Sequence, residues 1–200
     1  MSNITHPLEM IWTSIPAGTF VMGSSQKQIR QIKQLDPDYS DEWLDREQPQ
    51  HEVYLSQFEI GVYPVTNRQF REFINSTEYQ TERELDGLGK SIWYQFPFGR
   101  QENSPSMEEM LDHPVVCVTV SDVLTYCQWF SQQTGDKVNL PTEGQWEKAS
   151  RGEDDRMWSW GDQFEESNCN ITGRGTTVVG SYPQGVSPYG VMDCTGNVWE

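Results

Sequence analysis

The residues of this chain that could bind a metal ion lie closest together in its last segment, "DCTGNVWE" (193–200). This segment carries the side-chain oxygens of Asp193, Asn197 and Glu200, and Gly196 allows a tight turn that can direct backbone carbonyls inward. Calcium takes about six to eight oxygen ligands and commonly mixes carboxylate, amide and carbonyl groups. The spacing is not that of an EF-hand. Chemistry alone therefore leaves two equal interpretations: a calcium site, or a surface turn with acidic residues placed by chance.

The cysteines do not form a recognisable metal-binding or redox motif. Cys117, Cys127, Cys169 and Cys194 are irregularly spaced and include no CxxC pair of the kind found in zinc ribbons and thioredoxin-like sites. Cys127 falls on the inward face of an expected helix. Cys117 falls in an apolar expected strand, "VVCVTV", where burial raises the pKa of a thiol and lowers its reactivity. Cys169 and Cys194 fall in loops that could be exposed. We expect free thiols in a reducing compartment and assign no catalytic residue.

The acidic composition argues against several classes of partner. The chain of 200 residues has 30 acidic and 14 basic side chains and a formal net charge of −16. Such a charge repels phosphate backbones and anionic lipids and offers no basic surface to a nucleic acid. No segment reaches the apolar length of a membrane span, and the N-terminus lacks the regions of a secretory signal. We expect a cytoplasmic protein that binds neither nucleic acids nor membranes.

Glycine and proline interrupt the chain throughout and leave only short runs for regular structure. With 16 Gly and 11 Pro, the composition predicts a loop-rich α+β domain. A turn around Pro16 precedes an expected strand at 19–22. The segment 51–66 alternates apolar and polar residues, as a half-buried strand does. Both strands fit an antiparallel sheet.

Two helices begin with the same signal. "TNRQF" (66–70) and "TEGQW" (142–146) each place Thr at the N-cap and Gln three residues later, which is the pattern of a capping box. The first helix should end near residue 75 and the second near Gly152.

Periodicity predicts two more helices. The segment 121–135 begins at Ser121 or Asp122, and its expected inward face carries Val123, Leu124, Cys127 and Phe130. The segment 24–35 has a thin apolar stripe of Ile29, Ile32 and Leu35. The segment 80–112 shows little periodicity, and we interpret it as an ordered irregular surface containing Trp93, Tyr94, Phe96 and Phe98.

Taken in order, these stretches resemble one known family. The segments are "IPAGTFVMGS", "EQPQHEV", "YPVTNRQFREF", "HPVVCVTVSDVLTYCQWF", "LPTEGQWEKASRG", "WGD" and "YGVMDCTGNVWE". They are similar to the sulfatase-modifying factor family, whose founding activity is that of the formylglycine-generating enzyme. The resemblance implies a C-type-lectin-like formylglycine-generating-enzyme fold, an α+β domain that is loop-rich and stiffened by calcium. It divides the chain into an N-terminal extension, 1–14, and a sulfatase-modifying factor enzyme domain, 15–200.

The resemblance also implies an oxidase chemistry. It further implies that the residues which perform this chemistry in the family are not among these 200. The family's aerobic oxidases bind Cu(I) through a cysteine pair, activate dioxygen and convert a cysteine in a CxPxR segment to formylglycine. In the family, the "GNVWE" block is followed by another tryptophan, an "RGGS"-type segment, that cysteine pair and a final core strand. The 200-residue sequence ends at Glu200, so we expect a C-terminally incomplete domain that is inactive as it stands. Cu(I) is expected only in a full-length oxidase.

Calcium ligands follow from the resemblance residue by residue. In the family, the last block holds calcium through an acidic or amide residue, two backbone carbonyls and a glutamate, matched here by Asp193, Gly196, Val198 and Glu200. A second family site begins at an asparagine after the "WG" block, matched by Asn168 and by the carbonyl of Cys169. The following loop is short and lacks the expected aspartate, so the second site is incomplete. We expect the calcium to be structural.

Three functional classes are compatible with these patterns to different degrees. The first is an oxidase-related domain that is inactive in this form, and the alternative is a non-catalytic, C-type-lectin-like binding module with a protein or peptide partner. The "IWYQFPFG" segment would be its first candidate surface. Related iron-dependent sulfoxide synthases need a histidine cluster. The histidines here, His6, His51 and His113, are widely separated, and we interpret the last two as structural.

Overall fold

The computed structural model describes residues 8–88, 106–171, 173 and 175–200, and its regular elements are short. The strands are β1 (Trp12–Ile15), β2 (Gly18–Met22), β3 (His51–Leu55) and β4 (Phe58–Gly61). The α-helices are α1 (Gln26–Leu35), α2 (Asp41–Arg46), α3 (Asn67–Thr77), α4 (Val120–Thr134) and α5 (Glu143–Arg151). A π-helical turn covers Glu84–Leu88, and 3-10 turns cover Glu108–Met110, Glu166–Asn168 and Pro183–Gly185. This mixture confirms the predicted α+β class with little regular structure.

The strands pair antiparallel, as predicted, but in two separate ladders. β1 pairs with β4 and β2 pairs with β3. The segment expected to form one strand from residue 51 is therefore divided at Ser56 and Gln57. These two polar residues interrupt the apolar alternation, and the chain passes there from one ladder to the other. β1 begins at Trp12, inside the segment treated as an extension, so the division at residue 15 stays a prediction.

Capping boxes fix the beginnings of the helices. The predicted boxes of α3 and α5 are present, and α1 has the same arrangement; the pairs are Thr66 with Gln69, Thr142 with Gln145, and Ser25 with Gln28. In α4 the N-cap is Thr119, and Asp122 is the acidic residue of the box. The predicted start at Ser121 or Asp122 is therefore wrong, because Asp122 bonds back to the cap instead of forming it. On α1, Leu35 is 57% exposed, so its apolar stripe is only partly covered.

The main core lies between α3 and α4 and is largely aromatic. Its buried members are Phe70, Phe73, Tyr126, Cys127, Trp129 and Phe130. The ring centroids of Phe70 and Phe73 lie 5.4 Å apart, and those of Phe73 and Trp129 lie 5.5 Å apart. Aromatic pairs at such distances contribute about 0.5–1.5 kcal/mol each beyond area burial. The predicted inward position of Cys127 and Phe130 is confirmed, and Phe70 and Phe73 on α3 are buried as well.

Two predictions around α4 are wrong. Leu124 is 50% exposed and Val120 is 64% exposed, so neither belongs to the core. Tyr126 and Trp129 turn inward instead, because the buried face of α4 is centred on its larger aromatic residues. The segment 115–119 forms no strand, and Cys117 adopts a left-handed φ of 55°. Pairing in this region is limited to the bridge between Thr66 and Pro114.

A buried lysine joins α5 to the turn between β1 and β2. The Lys148 side chain is fully buried, and its Nζ donates hydrogen bonds to the carbonyls of Pro16 at 2.9 Å and Gly18 at 3.0 Å. Its charge is balanced by Glu153, whose Oε1 lies 3.2 Å away. A buried ammonium requires such a set of acceptors, because desolvation of an unpaired charge is strongly unfavourable. At the next position of the helix, Ala149 packs in a second small core with Ile15 and Val191.

No helix in the described ranges is both long and apolar enough to cross a membrane.

Replacing Lys148 by Met should lower the free energy of unfolding by about 3 kcal/mol, because the carbonyls of Pro16 and Gly18 and the Glu153 carboxylate lose their buried partner. Lys27→Met, at an exposed position of α1, is the matched control and should change stability by less than about 0.5 kcal/mol. Urea denaturation followed by tryptophan fluorescence measures both. Equal midpoints for the two variants would show that Lys148 does not hold the turn.

Candidate functional site: a carboxylate loop beside inert thiols

The segment 193–200 forms a tight loop that is fixed to the body of the domain. Just before it, the Met192 N–H donates to the Val62 carbonyl at 2.8 Å. Left-handed φ angles then occur at Asp193 (62°), Gly196 (82°) and Asn197 (65°). Aspartate and asparagine adopt this conformation more readily than other residues with side chains. The sequence of the loop therefore suits its curvature.

Gly196 is required by the close approach of Asn170. The two residues form a parallel bridge, and the Asn197 N–H donates to the Asn170 carbonyl at 2.8 Å. A Cβ atom on residue 196 would lie 2.5 Å from the Asn170 carbonyl oxygen, which is closer than such contacts allow. The tight turn predicted at Gly196 is confirmed. The bridge also brings the segment 168–170 beside the loop.

The Asn197 side chain closes the loop from inside. Its Oδ1 accepts hydrogen bonds from the Thr177 N–H at 2.8 Å and from Asn170 Nδ2 at 3.2 Å. Its Nδ2 donates to the Thr177 carbonyl at 3.2 Å. Both ends of the amide are thus engaged by the protein. We therefore treat Asn197 as a structural residue and not as a ligand.

The carboxylates of Asp193 and Glu200 are desolvated and repel one another. Asp193 is 8% exposed, and its Oδ2 accepts a hydrogen bond from the Gly180 N–H at 2.7 Å. Burial raises the pKa of Asp193, and the Gly180 amide opposes this shift. Glu200 Oε2 accepts a hydrogen bond from Trp146 Nε1. The pKa of Glu200 is raised mainly by desolvation of its carboxyl group. The hydrogen bond from Trp146 lowers this pKa, and the charge of Asp193 raises it. The residue as a whole lies at the surface.

The calcium site expected at this loop stays a prediction, and its donor types can be compared with what a calcium ion requires. Within the described residues, neither Asp193 nor Glu200 forms an ion pair with lysine or arginine. The same residues contain no group of three or more His, Cys, Asp or Glu side chains that could hold a metal. A cation here would therefore need backbone carbonyls in addition to the two carboxylates. The predicted set of Asp193, Gly196, Val198 and Glu200 contains this mixture of donor types, and its Gly196 carbonyl also accepts a hydrogen bond from the Val198 N–H at 2.8 Å.

The other predicted ligands lie next to this loop but in a less suitable setting. Asn168 is half-buried at the end of a 3-10 turn, and Cys169 is only 3% exposed. The Asn168 carbonyl is directed at Gly185, where a Cβ atom would lie only 2.1 Å from it. That carbonyl is packed against backbone. The predicted second site stays a prediction. Its residues, Asn168 and Cys169, lie beside the loop because the next residue, Asn170, bridges to Gly196.

The thiols occupy environments that suppress their reactivity. Burial raises the pKa of Cys117, Cys127 and Cys169, and it raises the pKa of Cys194 to about 12, with a smaller contribution from the charge of Glu200. Cys127, Cys169 and Cys194 are free thiols, and Cys117 forms no disulfide. The prediction that Cys127 is a buried structural thiol is confirmed. The expectation that Cys169 could be exposed is wrong, because this residue is only 3% exposed.

The remaining polar candidates have structural contacts. His113 Nδ1 lies 2.8 Å from Thr176 Oγ1, and His51 Nδ1 lies 2.8 Å from the Pro49 carbonyl, which confirms their hydrogen-bonding role. Arg151 pairs with Glu147 at 2.6 Å. Glu143 is exposed and has no ion pair among the described residues. His6 and the aromatics Trp93, Tyr94, Phe96 and Phe98 lie outside the described residues.

An exposed aromatic patch adjoins the loop, and sequence reasoning missed it. It consists of Tyr39, Trp43 and Trp199, whose neighbouring ring centroids lie 5.7 and 5.8 Å apart. Trp199 is 88% exposed and Trp43 is 46% exposed. Trp43 belongs to α2, whose sequence "DEWLDR" surrounds it with acidic residues. A tryptophan within so acidic a helix was the available signal.

Comparison with known proteins identifies relatives over nearly the whole chain. Residues 5–200 match the family model described as "Sulfatase-modifying factor enzyme 1-like domain". The chain is 30% identical to the "Inactive C-alpha-formylglycine-generating enzyme 2" of Bos taurus over 230 residues, covering 93% of the chain and 68% of that protein. It is 28% identical to the "Formylglycine-generating enzyme" of Bos taurus, covering 97% of the chain but only 57% of the enzyme. The chain thus spans little more than half the length of that enzyme.

Solved structures support the fold. The structure of PvdO from Pseudomonas aeruginosa matches with a TM-score of 0.64 and 22% identity, covering 94% of this chain and 67% of that one. The crystal structure of CarF matches with a TM-score of 0.58 and 20% identity, covering 96% of this chain and 78% of the other. At these identities the likeness concerns the fold alone.

The pKa shifts of the thiols predict slow alkylation. At pH 8, iodoacetamide should modify the native protein at least about tenfold more slowly than it modifies glutathione, because thiolate is the reacting form. Mass spectrometry of peptides from timed samples gives the rate at each cysteine. The urea-unfolded protein is the control and should react like a free thiol. Rapid alkylation of any of the four native thiols would contradict the assignment of inert environments.

Proposed function

Because this chain belongs to the sulfatase-modifying factor enzyme 1-like domain family, we propose that it is a calcium-stabilised scaffold of the formylglycine-generating type that does not itself perform the copper-dependent oxidation. The observation that carries this proposal is the pair of desolvated carboxylates, Asp193 and Glu200: the charge of Asp193 raises the pKa of Glu200, and neither forms an ion pair with lysine or arginine among the described residues. Relatives with names that denote both active and inactive formylglycine-generating enzymes are compatible with it.

A calcium ion at this loop would be held by the carboxylates of Asp193 and Glu200 and by the carbonyls of Gly196 and Val198. When bound, it supplies positive charge that cancels the repulsion of the two carboxylates and ties together the ends of the loop. The Gly180 N–H orients Asp193, and the bridge to Asn170 fixes Gly196. The residues of the chain thereby set the loop geometry before any ion arrives.

The described residues do not fit Cu(I). Soft Cu(I) prefers thiolate ligands, whereas burial here raises the pKa of each thiol and so favours its protonated form. The irregular placement of Cys117, Cys127, Cys169 and Cys194 provides no pair comparable to that of the family's oxidases. We derive no oxidation step from these residues.

A second candidate function is recognition of a peptide by the aromatic patch. Its rings are exposed, and the acidic residues of α2 lie around Trp43. Exposed aromatic faces beside carboxylates favour a cationic side chain, above all arginine, through cation–π contacts and charge attraction. A protein or peptide partner carrying arginine is therefore the one that suits this surface. The resemblance to oxidases of CxPxR segments provides the first probe.

Calcium should raise the melting temperature of the chelator-treated protein by about 5 to 10 °C at an ion concentration of about one hundred times Kd. Asp193→Asn should abolish this shift while leaving the calcium-free protein at least as stable, because it removes a desolvated charge and keeps an acceptor for Gly180. Asp136→Asn, at an exposed position, is the matched control and should preserve the shift. Differential scanning calorimetry gives each value. A wild-type melting temperature that millimolar calcium leaves unchanged would refute the calcium proposal.

A peptide containing Cys-x-Pro-x-Arg should bind the protein, and Trp43→Ala or Trp199→Ala should weaken binding about threefold to tenfold. Tyr54→Ala removes another strongly exposed aromatic residue on β3 and should have no effect. Fluorescence anisotropy of the labelled peptide measures Kd, and a peptide with Gln in place of Arg tests the charge. Equal Kd values for all variants would exclude the aromatic patch as the peptide-binding surface. Mass-spectrometric detection of formylglycine in the incubated peptide would instead overturn the non-catalytic proposal.

A further inference from the structure

We propose that Trp146 is a positioning residue that holds the Glu200 carboxylate ready for a divalent cation, an inference that rests on the calcium site proposed above. Trp146 lies on α5, and its indole Nε1 donates a hydrogen bond to Glu200 Oε2 across 54 residues of sequence. Within the described part of the chain, this is the one hydrogen bond recorded for the Glu200 side chain. The second carboxylate oxygen, Oε1, is left available.

The chemical nature of the donor suits this role. An indole N–H is a neutral donor with no acceptor function, so it orients a carboxylate without cancelling its charge. A lysine or arginine in the same place would form an ion pair and compete with a metal ion for the carboxylate. Trp146 therefore fixes the direction of Glu200 while preserving its attraction for a cation.

Asp193 is held by the same kind of contact. Its Oδ2 accepts from the Gly180 N–H, also a neutral donor, and its other oxygen has no recorded partner in the described residues. Both carboxylates thus use one oxygen for a neutral N–H group and keep the other free. Hydrogen bonds of this kind, made to a ligand rather than to the metal, commonly set the orientation and affinity of metal sites. The repeated pattern points to preparation of two ligands for one ion.

The indole itself is fixed by its helix. The capping box of Thr142 and Gln145 begins α5, and Lys148 ties the helix to the β1–β2 turn. On the same helix, Glu147 accepts from the Gly23 N–H at 2.8 Å and pairs with Arg151. These contacts restrain the position of Trp146, so Trp146 does not shift with Glu200 when the loop moves. The loop is drawn to the helix, and the position of Glu200 is set by the body of the domain.

A purely structural role would give a different signature. If Trp146 only satisfied its own N–H group, its removal would alter the stability of the calcium-free protein and leave the intrinsic affinity for calcium unchanged. A positioning role predicts the opposite: similar calcium-free stability and weaker calcium binding. Affinity and stability must therefore be measured on the same samples.

The test is Trp146→Phe in the full 200-residue chain, which keeps an aromatic ring and removes the donor. Titration of chelator-treated protein with calcium chloride in a calorimeter should give a Kd raised about tenfold or more. Trp160→Phe is the matched control, because the Trp160 Nε1 donates to the Gln163 carbonyl and not to a carboxylate of this loop, and its Kd should equal that of the wild type. In the wild type, the indole N–H proton of Trp146 should exchange slowly with solvent. Its signal is identified by its absence in Trp146→Phe.

The outcomes of the titration distinguish the positioning role of Trp146 from the calcium site on which it rests. Absence of calcium binding by the wild type would overturn both. Calcium binding by the wild type with an equal Kd in Trp146→Phe would overturn the positioning role and leave the calcium site standing. A raised Kd accompanied by a calcium-free melting temperature within about a degree of the wild type supports the inference. A raised Kd accompanied by a large fall in that temperature would assign Trp146 a structural role instead.

Discussion

The buried ammonium of Lys148 is the contact on which the arrangement of the domain depends. It is enclosed completely and is neutralised only where the β1–β2 turn and Glu153 meet α5. Because a charge in this setting tolerates little displacement, α5 has one position relative to the strands. That position places Ala149 in the small core with Ile15 and Val191, from which the chain continues directly into the loop. The strands, the helix and the carboxylates therefore form one mechanical unit.

Local chemistry made much of the fold predictable, and long-range contacts account for what was missed. The beginnings of α3 and α5 could be read because a capping box lies within four residues. The beginning of α4 was missed because aspartate serves there as the box acid and resembles an N-cap. The apolar run around Cys117 suggested a strand, but short apolar runs do not distinguish a strand from an irregular buried segment. Its left-handed turn depends on packing that no local pattern records.

The candidate site shows the same division. Family resemblance supplied Asp193, Gly196, Val198 and Glu200, and the turn at Gly196 followed from its sequence. The hydrogen bond of Trp146 to Glu200 and the edge-to-face contact of Trp199 with Trp43 join residues far apart in sequence. Such pairs have no signal in composition or periodicity. The predicted oxygen ligands and the thiols also differ in setting: among the described residues Asp193 and Glu200 each have one carboxylate oxygen without a recorded partner, whereas burial raises the pKa of each thiol.

The adjacency of Trp199 and Glu200 has a thermodynamic consequence. One side chain packs against Trp43 on α2, and the next is held by Trp146 on α5, so a single peptide unit links the aromatic patch to the carboxylate loop. If an ion on the loop changes the affinity of the patch for a partner, the partner must change the affinity for the ion by the same factor. The binding of the ion and the binding of the partner would then be coupled through one peptide unit, without direct contact between the two ligands. The local ion concentration would in that case set how strongly the surface is engaged.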